Sequence, residues 1–426
     1  MKLKKWQIFV IIMLVINIIG RVILRLSDSF CNFYAENIHV EIARIFARIS
    51  GIFSFSVIEF LLYFAALSLL ITIIIIILRA VKRKYNKNTA ENEIENESAK
   101  SGSLAGDFRR LCIVLLCVGL SAAAVYMFNS EINYNRRPFS EEAGIITTEY
   151  SKEELRETII YVLDIINDNL PYVERKELNE HINEFKPTAD LEDTARKAMK
   201  QLSAEYPCLD TYYPNPKGVI TSEFWLSRGM ISGVYSPFTL EANFNGDMPS
   251  INKPFTVCHE LSHLAGFMRE DEANFIAFLA CIKSGNADFA YSGAFGALEY
   301  LLNAYEGVAT DEEITAIYQL IPIEVIMDMS VDNEYWYKYR QTVTKKVYHT
   351  INDTGLKING QEDGVRSYGR MVDLLIAYQK TEAEKRSCYA TTEDRLRTAR
   401  LSVNRTIFLN VRAGEGARPY GLHHKI

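Results

Sequence analysis

The stretch FTVCHELSHLAGFMREDEANFIAFLAC, Phe255–Cys281, carries two of the chain's seven histidines. His259 and His263 stand four residues apart, with Glu260 directly after the first. Residues i and i+4 lie on one face of a helix, so both imidazoles can reach one cation. Zn2+ accepts neutral imidazole nitrogens, and a catalytic zinc site keeps three protein ligands and one open position. Glu260 has no ligand duty. Beside the metal it could take a proton from an attacking water and pass it to a leaving amine. An HExxH pattern recurs by chance in roughly one chain per hundred, so the motif is informative but needs support from its surroundings.

That support comes first from a third ligand. Gly266 follows His263 closely enough to turn the chain, and Glu270, Asp271 and Glu272 then open a second helix. Glu270 shares a helical face with Ala273, Asn274, Ala277 and Cys281, small residues that let another helix approach. Glu272 shares its face with Phe275, Ile276 and Leu279, which hold helices apart. Glu270 is therefore the preferred third ligand and Glu272 the alternative, while Asn274, one turn on, could orient a ligand. Acids at a helix start also favour the helix dipole, which explains the cluster but not the asparagine in an otherwise apolar helix. Near the carboxyl end, NGQEDGVRSYGRMVDLL offers Arg366, Tyr368 and Arg370 as donors to a developing oxyanion, or equally as a solvated helix start. His181, His349, His423 and His424 have no ligand spacing. The seven cysteines contain no CxxC pair. Cys258 and Cys281 read as two buried thiols in preference to a disulfide.

The elements that position these residues follow from periodicity. GVIT, MISGVYS and FTLEANFN, between Gly218 and Asn245, are short, β-branched or aromatic, and bounded by turn residues, as strands are. They predict a small sheet just before the HELSH helix, with an edge strand available to pair with an extended peptide. SKEELRETIIYVLDIINDNL begins with a capping box, Ser151 and Glu154. It predicts a helix, as do DLEDTARKAMKQLSAEY, FGALEYLLNAYEG, NEYWYKYRQTVTKKVYHTIN and GVRSYGRMVDLLIAYQK.

Composition bounds the rest. The chain has 426 residues and 53 acids against 47 Lys and Arg, with no basic, aromatic-studded stripe, so nucleic acid is not an expected partner. Three apolar runs at about 6–24, 57–78 and 111–128 are each near the ~20 residues that cross a bilayer, so the lipid bilayer is. The first is an uncleaved anchor, because Arg21 and Arg25 stand where a cleavage site would fall. The connector 79–110 holds eight basic residues, Arg79, Lys82, Arg83, Lys84, Lys87, Lys100, Arg109 and Arg110, against Arg25, Arg44 and Arg48 in the preceding loop. By the positive-inside rule the amino terminus and this polar linker are cytoplasmic, and residues 129–426 form an extracytoplasmic domain.

HELSHLAGFMREDEANFIAFLAC resembles gluzincin-type zincins, in which HExxH precedes a helix bearing E-x-x-A-D or E-x-x-A-N; ImmA/IrrE-like metalloproteases carry a similar helix. The chain also resembles an uncharacterised bacterial multi-pass membrane family, through YNRRPFS after the third run and GQEDGVRSYGRMVDLL near the end. The zincin resemblance implies an α+β fold, Zn2+, and hydrolysis of a peptide or protein substrate, in or near the envelope. Glu270 stands only seven positions after His263, a far shorter gap than in most gluzincins, and the short metzincin spacing would put the ligand at Arg269, which cannot bind zinc. A zinc-binding sensor or assembly protein that keeps the fold without hydrolysis is the alternative, and the intact Glu260 speaks for the enzyme.

Overall fold

The computed structural model describes residues 3–90, 104–179, 182–347, 350, 354 and 370–385. Its first part is helical: α1 (Lys5–Leu26), α2 (Asp28–Tyr34), a five-residue π turn (Ala35–His39), α3 (Val40–Ser50), α4 (Val57–Ala90) and α5 (Leu104–Asn129). Of these, α1, α4 and α5 are long and apolar enough to cross a membrane. They outrun the apolar stretches. α4 continues through the basic residues to Ala90, and α5 starts at Leu104, so both described ends of the expected linker are helical. Extending a formed helix by Lys and Arg costs little, and Arg83 ties α4 to Asp107 of α5 at 2.7 Å. The linker's middle, 91–103, lies outside the described residues.

The remainder is mostly helical: α6 (Phe139–Glu142), α7 (Lys152–Asn169), α8 (Leu191–Glu205), α9 (Ser222–Trp225), α10 (Lys253–Leu264), α11 (Glu270–Ile282), α12 (Ala287–Glu306), α13 (Asp311–Tyr318) and α14 (Ile323–Tyr337), with a further helical stretch at 371–385. The expected box starts α7. Ser151 accepts from the Glu154 N–H, and Glu154 accepts from the Ser151 N–H at 2.7 Å. α11 is apolar on every side because it is the central helix, with Phe275, Ile276, Phe278 and Leu279 wholly buried. The helix expected over Asn333–Asn352 is broken: α14 stops at Tyr337, and Thr342 turns to donate to the Arg228 carbonyl.

All three expected strands form. β1 (Glu174–Glu177) and β2 (Asn183–Lys186) make a hairpin, and β3 (Lys217–Val219), β4 (Gly233–Ser236) and β5 (Glu241–Asn245) make a sheet in the order β3-β5-β4. β5 runs parallel to β3 and antiparallel to β4, pairing Gly233 with Phe244. β4 is thus an edge. Alternation along β5 sends Ala242 and Phe244 into the core and leaves Glu241, Asn243 and Asn245 to polar partners.

Carboxylates lock the sheet to the long helices. Glu241 accepts from the first N–H groups of α4, Val57 at 3.1 Å and Ile58 at 3.0 Å, and pairs with the buried ammonium of Lys217. In return Glu59 of α4 accepts from the N–H groups of Ile220 and Thr221 at 2.9 and 3.0 Å. Arg21 of α1 meets Glu131 at 2.9 Å, and Ala43 and Ala47 of α3 join the domain's own core.

Candidate metal centre

The HExxH helix and the acidic helix pack against each other across a short connection. Pro254 suits the first turn of α10, where its missing N–H is not needed. At the far end Gly266 takes φ +91°, and a Cβ there would lie 3.2 Å from both Arg136 Nη1 and His39 Cδ2. Glycine is required twice over. The turn brings Glu270, first residue of α11, back against α10. Its Oε2 lies 3.3 Å from His259 Nε2 and 3.8 Å from His263 Nε2. The short gap after His263 therefore suffices, because the reversal needs only the residues between Leu264 and Glu270. The three ligand atoms lie within 4.8 Å of one another.

The hydrogen bonds fix how these groups face one another. His263 Nδ1 is 2.8 Å from the carbonyl oxygen of Phe267, which can only accept, so Nδ1 carries the proton. Burial and the neighbouring His259 push the His263 pKa down to about 4, which keeps the ring neutral. Its Nε2 then presents a lone pair on the side of the Glu270 carboxylate, 3.8 Å away, where a cation could meet both. His259 responds in the opposite sense. Burial opposes its charge, but the Glu270 hydrogen bond and charge outweigh it and raise its pKa. Two imidazoles and a carboxylate of this kind fit a divalent ion that accepts both nitrogen and oxygen ligands.

Glu260 lies in the same cavity, of about 550 Å³, lined also by Tyr235, Tyr300 and the residues of β4. Its side chain is buried, and Oε2 makes no hydrogen bond. Burial lifts its pKa to about 8, with Glu270 adding to the rise and the His259 charge opposing it. β4 crosses directly over it. A Cβ at Gly233 would come 2.5 Å from Glu260 Oε1 and 2.8 Å from Thr256 Cγ2.

Asn274 stands beside this group as expected: it favours the charged form of His259 and donates to the Tyr300 hydroxyl at 3.1 Å. Glu272, the alternative ligand, points away, accepting from the Phe139 N–H at 2.8 Å on the other side of α11. Arg370 is not at the centre either. It pairs with Asp271 at 3.3 Å and lines a separate cavity with Glu272. Arg366 and Tyr368 lie outside the described residues, as do His181, His349, His423 and His424. Cys258 and Cys281 are free, buried thiols. Tyr300 and Gly233 were not singled out by motif spacing. Tyr300 comes from α12, and no local pattern marks it; Gly233 interrupts a strand-like run, the usual sign of a close backbone approach.

These features define a mostly helical α+β domain, carried on three helices of membrane-spanning length, with a partly buried His-His-Glu cluster beside a second glutamate. The chain belongs to the family described as Protein of unknown function (DUF3810), whose model matches residues 34–376. No curated protein and no solved structure matches it.

Proposed function

We propose that the protein is a membrane-anchored, zinc-dependent metallopeptidase of gluzincin type that hydrolyses peptide bonds outside the cytoplasmic membrane. One observation carries most weight: the Phe267 carbonyl fixes the His263 tautomer, turning the Nε2 lone pair toward the Glu270 carboxylate in a cavity that also holds the buried Glu260, whose Oε2 makes no hydrogen bond. His259, His263 and Glu270 would hold the Zn2+. When bound, the ion supplies positive charge that polarises water and the scissile carbonyl. The chain supplies the remainder. The free edge of β4 can hydrogen-bond an extended peptide along the cavity, with Gly233 letting the backbone pass close to Glu260. The charge of a bound cation would favour the ionised carboxylate of Glu260, which would take a proton from water as the water oxygen attacks the carbonyl carbon, then deliver it to the amide nitrogen as the C–N bond breaks. The products are an acid and an amine. Asn274 and Tyr300 brace the ligands from behind.

The full-length protein in detergent should retain about one zinc, and His263→Ala should lose it. Glu260→Gln keeps the side chain's size and should keep the zinc while lowering peptide cleavage at least ~10²-fold, the lower end for a positioned general base. Equal cleavage by Glu260→Gln and the unaltered protein would reject the mechanism. Zinc retention without cleavage of any peptide in a broad library would favour the zinc-binding sensor.

A further inference from the structure

The cleft opens at the level where the long helices leave their apolar stretches. Tyr126 and Ser130, at the domain end of α5, form part of the cavity wall that also holds His259 and Glu260. The apolar run of α5 ends at Phe128, so Tyr126 lies about 3 Å inside it at 1.5 Å per residue. On α4 the uncharged run begins at Phe60, yet Tyr63 bonds directly to Thr221 of the loop after β3. That contact is again about 4.5 Å inside the run. A run of this length about matches the ~30 Å hydrocarbon core, so both contacts lie at the core's domain-side margin, next to the headgroup layer.

The surface around the cleft agrees. Ile220, Phe224 and Trp225 follow the Tyr63 contact and are 66%, 53% and 50% exposed. Val234 of β4 and Phe238 just after it are exposed as well, while the Asn129 side chain at the end of α5 donates to the Pro237 carbonyl at 2.7 Å. Across the domain base, α3 turns Ala43 and Ala47 into the core and leaves Ile45, Phe46 and Ile49 exposed. An apolar collar at this height, continuous with three membrane-length helices, is suited to the acyl–headgroup boundary, where aromatic side chains accumulate.

We propose that the cleft works at the bilayer surface, and that its substrate is the juxtamembrane segment of a membrane-anchored polypeptide, entering along the free edge of β4. The reaction rests on the hydrolase assignment above; the placement of the cleft rests only on the contacts just described. A soluble chain would have to approach an opening bordered by lipid. A segment leaving the membrane starts there and reaches the cavity within a few extended residues at ~3.3 Å each.

Two experiments test the two halves. In proteoliposomes, the tryptophan emission lost on Trp225→Phe isolates the signal of Trp225. Lipids brominated near the headgroup end of their chains should quench that component. Quenching by aqueous iodide alone would overturn the proposal whatever the activity. For the substrate, unfolded casein peptides are presented to the full-length protein either free or coupled through one end to a lipid headgroup in the same vesicles. Tethering raises local concentration and so speeds every cut. The depth of the cleft makes the further demand that cuts cluster within about ten residues of the anchor, some 33 Å of extended chain. The same cut positions in free and tethered peptides would overturn the juxtamembrane proposal and leave the hydrolase standing. Cleavage of neither form would remove the hydrolase assignment and this substrate with it.

Discussion

A side chain at position 233 would collide with Glu260, and this makes Gly233 the sharpest single-residue probe of the centre. The hypothetical Cβ sits 2.5 Å from Oε1 and 2.8 Å from the Glu260 Cγ, so alanine can be accepted only if the carboxylate moves. None of the three atoms nearest that Cβ belongs to His259, His263 or Glu270, so the candidate ligands need not follow. Gly233→Ala should therefore retain zinc, lower cleavage tenfold or more, and lose about 1–3 kcal/mol of stability, as overpacked sites do. Gly119→Ala is the matched control, since a Cβ there meets nothing within 4 Å. Metal analysis, cleavage rates and thermal unfolding separate the effects. Full activity in Gly233→Ala would mean that the position of Glu260 does not matter, which the proposed chemistry does not allow.

At the scale of elements, the contact between sheet and long helices depends on a buried ion pair. Lys217 and Glu241 have side chains 3% and 0% exposed, and Glu241 also caps α4 through Val57 and Ile58. Removing one member leaves the other charged without its partner in the interior, a loss of about 3–5 kcal/mol in comparable buried pairs. Lys217→Met should therefore destabilise strongly. The double variant Lys217→Met/Glu241→Gln should lose less than the sum of the two single changes, because no charge is then stranded. Thermal unfolding of the three variants in detergent checks this, and strict additivity would show that the pair is not coupled. This contact also marks how far sequence carries. His259, Glu260 and His263 were legible because four residues define a helical face, and Glu270 because its neighbours on α11 are small. The capping box, the three strands and the long apolar helices were legible for the same reason: their signals are local. The bonds of Glu241 to Val57 and of Glu59 to Ile220 join residues more than 150 positions apart, and Tyr300 reaches Asn274 from another helix. Such pairings leave no local period, and a lone glutamate near an apolar run looks like any interfacial charge.

At the scale of the whole molecule, the structure reduces orientation to one binary choice. The start of α4 and the end of α5 both bond to the domain, so the connector between them lies at the opposite ends of these helices. Arg21, near the domain end of α1, meets Glu131, which puts Lys4 and Lys5, at the other end of that helix, on the connector's side. Among the described residues that side therefore carries these two lysines with Arg79, Lys82, Arg83, Lys84, Lys87, Arg109 and Arg110. On the domain side, Arg44 is paired with Glu41 and Asp210, and Arg48 stacks over Tyr212, so two of that loop's three basic residues are already engaged with protein. Lys and Arg near span ends are retained in the cytoplasm, so the asymmetry predicts a domain on the outer side. A membrane-impermeant maleimide applied to intact cells should label Ser151→Cys above the background of the unaltered chain. It should label Asn92→Cys only after the membrane is opened. The reverse pattern would put the His-His-Glu centre in the cytoplasm, and the proposed substrates would then be the cytoplasmic flanks of membrane proteins.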